Sequence, residues 1–211
     1  MNLHQLLIDE LSYVDPEWGP RVKRIKPWAE FKPVIKSQQL DLGSVPMEKL
    51  WFWSDQHFNH KNIIKYCNRP FVDCQDMEDK LIANYLDTIK NEDDVVIWVG
   101  DVTFMGDTFM NDILRNLPGY KILIMGNHDF DRSVPRRLDF DEMHSIISLQ
   151  NFIISHHPWN NVPSGYYHIH GHTHVHKTNN PLHINVCVEN TDYRPRNFVD
   201  ILNEVLNKES E

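Results

Sequence analysis

Two aspartates, one asparagine and four histidines recur along this chain at the ends of apolar runs, and their donor atoms are all nitrogen or oxygen. They are Asp55 and His57 in SDQH, Asp101 in VGD, Asn127 in MGNHD, His156 in ISHHP, and His172 and His174 in HIHGHTHVH. No thiolate belongs to the set, so it suits manganese, iron, zinc or a magnesium-like ion better than a cysteine-rich structural zinc site does. Seven ligands exceed what one tetrahedral ion uses, and they suit two ions that share one carboxylate. Two ions about 3.5–4 Å apart form the clamp that serves in-line displacement at phosphorus. The GNHD stretch carries the most weight, because polar rings and a carboxylate directly after a buried strand are costly without partners.

Such a set needs elements that bring its members together. The runs LWFWS, DVVIWVG, YKILIMG, HSIISL, NFIIS, YYHIH and HINVCV have strand length and composition. Between them, Met77, Leu81, Ile82, Tyr85, Leu86 and Ile89 predict a helix over about 75–90 with Asp73 as N-cap. Further helices are expected over 108–117, closed by Pro118-Gly119, and after Pro195. This alternation predicts an α/β fold. Side chains at the carboxyl ends of neighbouring strands meet in one crevice, the usual ligand position of such sheets. Gly100, Gly126 and Gly171 precede three of the groups and let the backbone approach an ion closely.

The 211 residues fit one domain with an appendage. Residues 1–49 read as an N-terminal extension packed on the core, interrupted by Pro16, Pro20, Pro27, Pro33 and Pro46, and residues 50–211 as the domain itself. A basic strip from Arg21 to Lys36 reads as a solvated segment, with a face for a partner or substrate as the alternative. A net charge of −9 disfavours sequence-blind binding to duplex DNA. Cys67, Cys74 and Cys187 are odd in number without C-x-x-C spacing, as reduced thiols in the cytoplasm would be. Neither a signal peptide nor a membrane-spanning run is visible.

The order Asp55-x-His57, Gly100-Asp101, Gly126-Asn127-His128-Asp129, His156, Gly171-His172-x-His174 resembles the calcineurin-like metallophosphoesterases over about residues 50–190. SDQHFNHKNIIKYCNRPF is similar to small phosphoesterases of bacteria and phages, which points to the cytoplasm of a bacterium or a phage-infected host. The resemblance implies two mixed β-sheets packed face to face and flanked by helices. It implies Asp55, His57 and His174 on a first ion, Asp101 as the bridge, and Asn127, His156 and His172 on a second. The ions would be divalent, manganese foremost, with iron, zinc or nickel as alternatives. It also implies His128 as general acid outside the ligand shell, with Asp129 orienting it. His170 would fix a ligand ring, while His157, His168 and His176 are strand or rim residues. Phe104 stands where purple acid phosphatases have a tyrosine ligand, and GDVTFMGD departs from the protein Ser/Thr phosphatase pattern. A phosphodiesterase on a small substrate, such as a nucleotide or cyclic nucleotide, is therefore expected, with a metal-bridging hydroxide attacking phosphorus. A nuclease of the same chemistry, drawing on the basic strip and Arg132, Arg136 and Arg137, is the less favoured partner class. A non-catalytic scaffold is the remaining alternative. Trp159, Tyr166 and Tyr167 are candidates for stacking on a base, with plain packing as the alternative, and Arg69 for a phosphate contact, with a surface or capping role as the alternative.

Overall fold

The computed structural model describes residues 40–131 and 134–209. The basic strip, Arg132 and the extension up to residue 39 lie outside them. Residues 40–49 form two 3-10 turns, Leu42–Ser44 and Met47–Lys49, that set Leu40, Leu42 and Val45 against the core. From there the elements run β1 (Leu50–Trp53), α1 (Lys61–Tyr66), α2 (Cys74–Thr88), β2 (Val95–Trp98), α3 (Asp107–Asn116) and β3 (Tyr120–Ile124). A short pair, β4 (Phe130–Asp131) and β5 (Val134–Pro135), precedes β6 (Glu142–His144), β7 (Ile146–Leu149), β8 (Phe152–Ser155) and β9 (Tyr167–His170). The chain closes with β10 (His183–Asn185), β11 (Arg196–Asn197) and α4 (Phe198–Glu209).

Two mixed sheets result. One has the order β11-β1-β2-β3-β6, parallel except for β11; the other is β10-β9-β8-β7, with only β7 antiparallel to its neighbour. Period-two alternation decides which layer each residue joins. Leu50, Phe52, Val95, Ile97, Ile122 and Ile124 meet Phe152, Ile154, Ile169 and Ile184 between the sheets. Trp53, Val96, Trp98 and Leu123 face the other way, onto Met77, Leu81 and Tyr85 of α2 and Met110 and Leu114 of α3. Both faces of β1–β3 are thus covered, as parallel strands require, and each buried large side chain contributes about 1.5–3 kcal/mol.

Asp73 caps α2 by accepting from the Asp76 amide at 3.0 Å, as its spacing predicts. The HSIISL run differs from expectation. It is not one strand: His144 ends β6 in the first sheet and Ile146 begins β7 in the second, so the chain changes sheets at Ser145. Among the described residues no helix is long and apolar enough to cross a membrane.

Candidate metal centre

Because β1, β2 and β3 are parallel, their carboxyl ends share one edge, and the loops beyond them go on pairing. Asp55 N–H donates to Gly100 O at 3.0 Å, His57 N–H to Asp101 O at 3.1 Å and Phe58 N–H to Val102 O at 3.0 Å. On the other sheet, Gly171 N–H reaches His156 O at 3.0 Å. These bonds hold an unusual backbone. Asp55, His57, Asp101, His172 and His174 all have φ between 49° and 67°. Non-glycine residues in that region cost on the order of 1 kcal/mol or more each and persist where the surroundings over-determine them. Two glycines leave the needed room: a Cβ on Gly126 would run into Asp101, and one on Gly171 into Ser54 and Asp55.

All seven residues expected as ligands are brought to this edge. Asp55, His57 and His174 form one set of close donor atoms, and Asp101, His156 and His172 another. In the first, Asp55 Oδ1 lies 3.6 Å from His57 Nε2 and 3.7 Å from His174 Nε2. In the second, Asp101 Oδ2 lies 3.4 Å from His156 Nε2, whose other neighbour is Asn127 Oδ1 at 3.2 Å. The same Asp101 oxygen is 3.7 Å from His57 Nε2, so it faces both sets. Donors bonded to one ion at about 2.0–2.2 Å stand at comparable separations.

The bonding of each side chain reserves these atoms. Asp55 Oδ2 takes Ser54 Oγ at 2.5 Å, the His172 amide at 2.9 Å and Cys187 Sγ at 3.2 Å, whereas buried Oδ1 has no hydrogen-bond partner. His156 Nδ1 donates to Val99 O at 2.7 Å and His174 Nδ1 to Glu189 Oε1 at 3.0 Å. A neutral ring so fixed turns the lone pair of Nε2 toward the carboxylates. Both nitrogens of buried His57 lack partners. Electron-rich atoms facing one another in a dry crevice need a proton or a cation between them. The metal-free electrostatics say the same. Burial pulls His156 and His174 down, yet the carboxylates of Asp101 and Asp55 on His156, and Cys67, Glu189 and Asp55 on His174, carry both up to about 10. Burial raises Asp55, but His156, His57 and His174 outweigh it and hold the carboxyl well below its ordinary range. Divalent cations fit this donor set.

No family model matches the chain. The uncharacterized protein MJ1445 of Methanocaldococcus jannaschii is 33% identical over 162 residues, which cover 71% of this chain and 86% of that protein. The chain belongs to the family of that archaeal protein. The gene 66 protein of Mycobacterium phage L5 is 33% identical over 86 residues, 39% of this chain and 41% of its own. Among solved structures, the protein of unknown function AQ665 from Aquifex aeolicus superimposes with a TM-score of 0.55 at 29% identity, covering 73% of this chain and 97% of that one. The α/β architecture is thus shared with this relative over most of the chain.

In this family member several sequence-based expectations need correcting. Asp129 does not orient His128. Its buried carboxylate accepts the amides of Asp101 (2.9 Å), Val102 (2.9 Å) and Gly126 (2.7 Å), so it holds the loop carrying Asp101. His128 is tied by its own amide to Asp101 Oδ1 at 2.8 Å, and its ring stands at the mouth with Nε2 3.9 Å from Asp101 Oδ2. Arg69 is neither at the surface nor free for a phosphate. It is buried beneath the site and donates to Asp55 O (2.7 Å), Gln56 O (2.9 Å) and, through Nε and Nη2, to Glu189 Oε1. His170 bonds Gly171 O and packs on His168 and His183 rather than on a ligand ring. His168, paired with Ser155 Oγ and the Trp159 amide, is structural. The ring of His157 lies 4.1 Å from that of His172. Trp159 is buried against His168, and Tyr167 stacks on Phe152 in the inter-sheet core.

Sequence reasoning missed Glu189 and the role of Arg69; the only signal was an Arg and a Glu far apart in the chain. Cys67, His174 and Glu189 form a third close set. The Arg69 guanidinium on Glu189 makes it a poor place for a further cation.

Proposed function

We propose that this protein is a calcineurin-like metallophosphoesterase that hydrolyses phosphate esters, foremost small phosphodiesters, with two divalent ions. The observation that carries the reading is Asp101 Oδ2, which lies between His57 Nε2 and His156 Nε2 and so faces two donor sets at once. Asp55, His57 and His174 would hold one ion, Asn127, His156 and His172 the other, and Asp101 both. When bound, such ions supply Lewis acidity toward phosphoryl oxygens and make water acidic enough to attack near neutral pH.

The chain's own residues do the rest. Ser54, Cys187 and the His172 amide hold Asp55 in one rotamer, and Asp129 does the same for the loop of Asp101. His128 lies outside both donor sets, and its Nε2 is the atom from which a proton reaches the leaving oxygen. General-acid help of this kind is worth roughly 10²–10⁴-fold. Burial keeps His128 below its ordinary pKa, although Asp101 pulls it upward, so without metal its protonated fraction falls at lower pH than that of a free imidazole. Of the arginines that could serve a nucleic acid, Arg136 is tied to Asp107 and to Thr103 O and Met105 O. The test is hydrolysis of bis(p-nitrophenyl) phosphate with manganese, iron, zinc or nickel after chelation. Turnover should return with metal in the native protein and stay at background in Asp101→Asn; no turnover with any of these metals would refute the reading.

A further inference from the structure

Phe104 borders this site, whereas Trp159 and Tyr167 pack on His168 and Phe152. Phe104 stacks on His60, with centroids 4.1 Å apart and an interplanar angle of 26°. His128 lies 4.9 Å away and His57 5.7 Å away, while His60 and His128 are 6.5 Å apart and His57 lies 5.3 Å from His60. These separations put His128 at the side of the phenyl ring and His57 between the two other imidazoles. Phe104 nevertheless remains 39% exposed beside these three rings. The loop that carries the ring is pinned. Phe104 N–H donates to Phe58 O at 2.8 Å, Thr103 pairs with Phe58, and Arg136 binds the carbonyls on either side, Thr103 O and Met105 O. Tyr66, 74% exposed and edge-on to His60 at 6.4 Å, extends the same wall outward.

We infer that the exposed side of the Phe104 ring is a stacking subsite for a planar aromatic group carried by the phosphate ester, placed beside His128 on the leaving-group side. A ring held there lies about one ring's breadth from the group that protonates the leaving oxygen, so the subsite selects aryl or nucleoside esters over alkyl ones. This rests on the phosphoesterase reading and names its substrate class.

The test is calorimetric binding to manganese-loaded protein, with probes whose P–C bonds are not hydrolysed. Methylphosphonate reports the metal site alone; benzylphosphonate and the phosphonate analogue of adenosine monophosphate add a ring, and the larger gain tells simple aryl from nucleoside esters. Native protein should bind a ring-bearing probe roughly tenfold to a hundredfold tighter than methylphosphonate, as stacking on an aromatic side chain allows. Phe104→Ala should lose that gain, Phe104→Trp should keep it, and methylphosphonate affinity and metal content should stay level in both. A gain that survives in Phe104→Ala, or no gain in the native protein, overturns the subsite. Failure of methylphosphonate to bind at all would remove the phosphoesterase reading and the subsite with it.

Discussion

The two halves of the candidate centre are built differently. Around Asp55, His57 and His174 the protein braces with side chains: Arg69, buried, grips the backbone of Asp55 and Gln56 and, through Glu189, the ring of His174. Around Asp101, Asn127, His156 and His172 backbone groups take part directly: Val99 O orients His156, and three amides gathered on the Asp129 carboxylate fix the turn. Burial does not separate them: Asp55 and His57 in the first half, like Asp101 and His156 in the second, are almost wholly buried, and His174, Asn127 and His172 are partly open to solvent. The Arg69–Glu189 brace on His174 can be removed by one substitution, whereas the Val99 carbonyl that orients His156 cannot. The difference makes the two halves separable by experiment.

Asp101 is the point where the comparison should collapse. Asp101→Ala removes the oxygen that faces both halves, so both ions should be lost and activity should fall to background. Metal analysis after gel filtration checks this; retention of one full equivalent would show that Asp101 serves a single half. Next in size is His128→Asn, which should leave metal content unchanged. Turnover of alkyl esters should drop roughly 10²–10⁴-fold and that of p-nitrophenyl esters much less, since a good leaving group needs little help from an acid. Equal losses on both esters would make His128 a positioning group.

Removing the side-chain brace should act on one half alone. Glu189→Gln or Arg69→Met should weaken one of two metal-binding steps by roughly 10–100-fold, the usual scale for a lost partner of a ligand histidine, and leave the other step unmoved. Calorimetric titration with manganese separates the steps, and two steps weakened alike would deny the asymmetry. The smallest effect is on stability. Without metal, His156 and His174 are raised to about 10 from an ordinary value near 6.5. Their contribution is therefore fully present below about pH 6.5 and is lost as pH rises through about 10. Chelated protein should lose stability across that window, while metal-loaded protein, its nitrogens already occupied, should not lose it from these groups. Metal at 100 times its dissociation constant should add about 2.7 kcal/mol. Denaturant melts between pH 6.5 and 9.5, with and without chelator, measure both effects; parallel curves would contradict them.

Much of this was legible in the chain because it repeats locally. Alternation along LWFWS, DVVIWVG and YKILIMG carries the strands and their two buried faces, and the candidate metal-binding residues stand directly after them. The spacing of Met77, Leu81 and Tyr85, with Asp73 ahead, likewise announces α2. What stayed hidden depends on contacts between distant segments. Arg69 and Glu189 are 120 residues apart, and Glu189 lies in a 3-10 turn, Val188–Asn190, that has no periodic signature. Asp129 was misread because adjacency to His128 suggested a partner, whereas three unpaired amides in the turn claimed the carboxylate first. The sheet change at Ser145 escaped notice because an apolar run looks the same whichever sheet it joins. Phe104 reads in the sequence only as the lack of a tyrosine, since the exposure of a ring and its neighbours are properties of the folded surroundings.

The most direct measurement is the number of metal ions each chain binds. Chelated protein dialysed against manganese and analysed for metal and protein should hold close to two equivalents, and Glu189→Gln should lower occupancy at one of them when manganese is limiting. A maximum of one equivalent in the native protein, or none, would contradict the two-set centre built on Asp101.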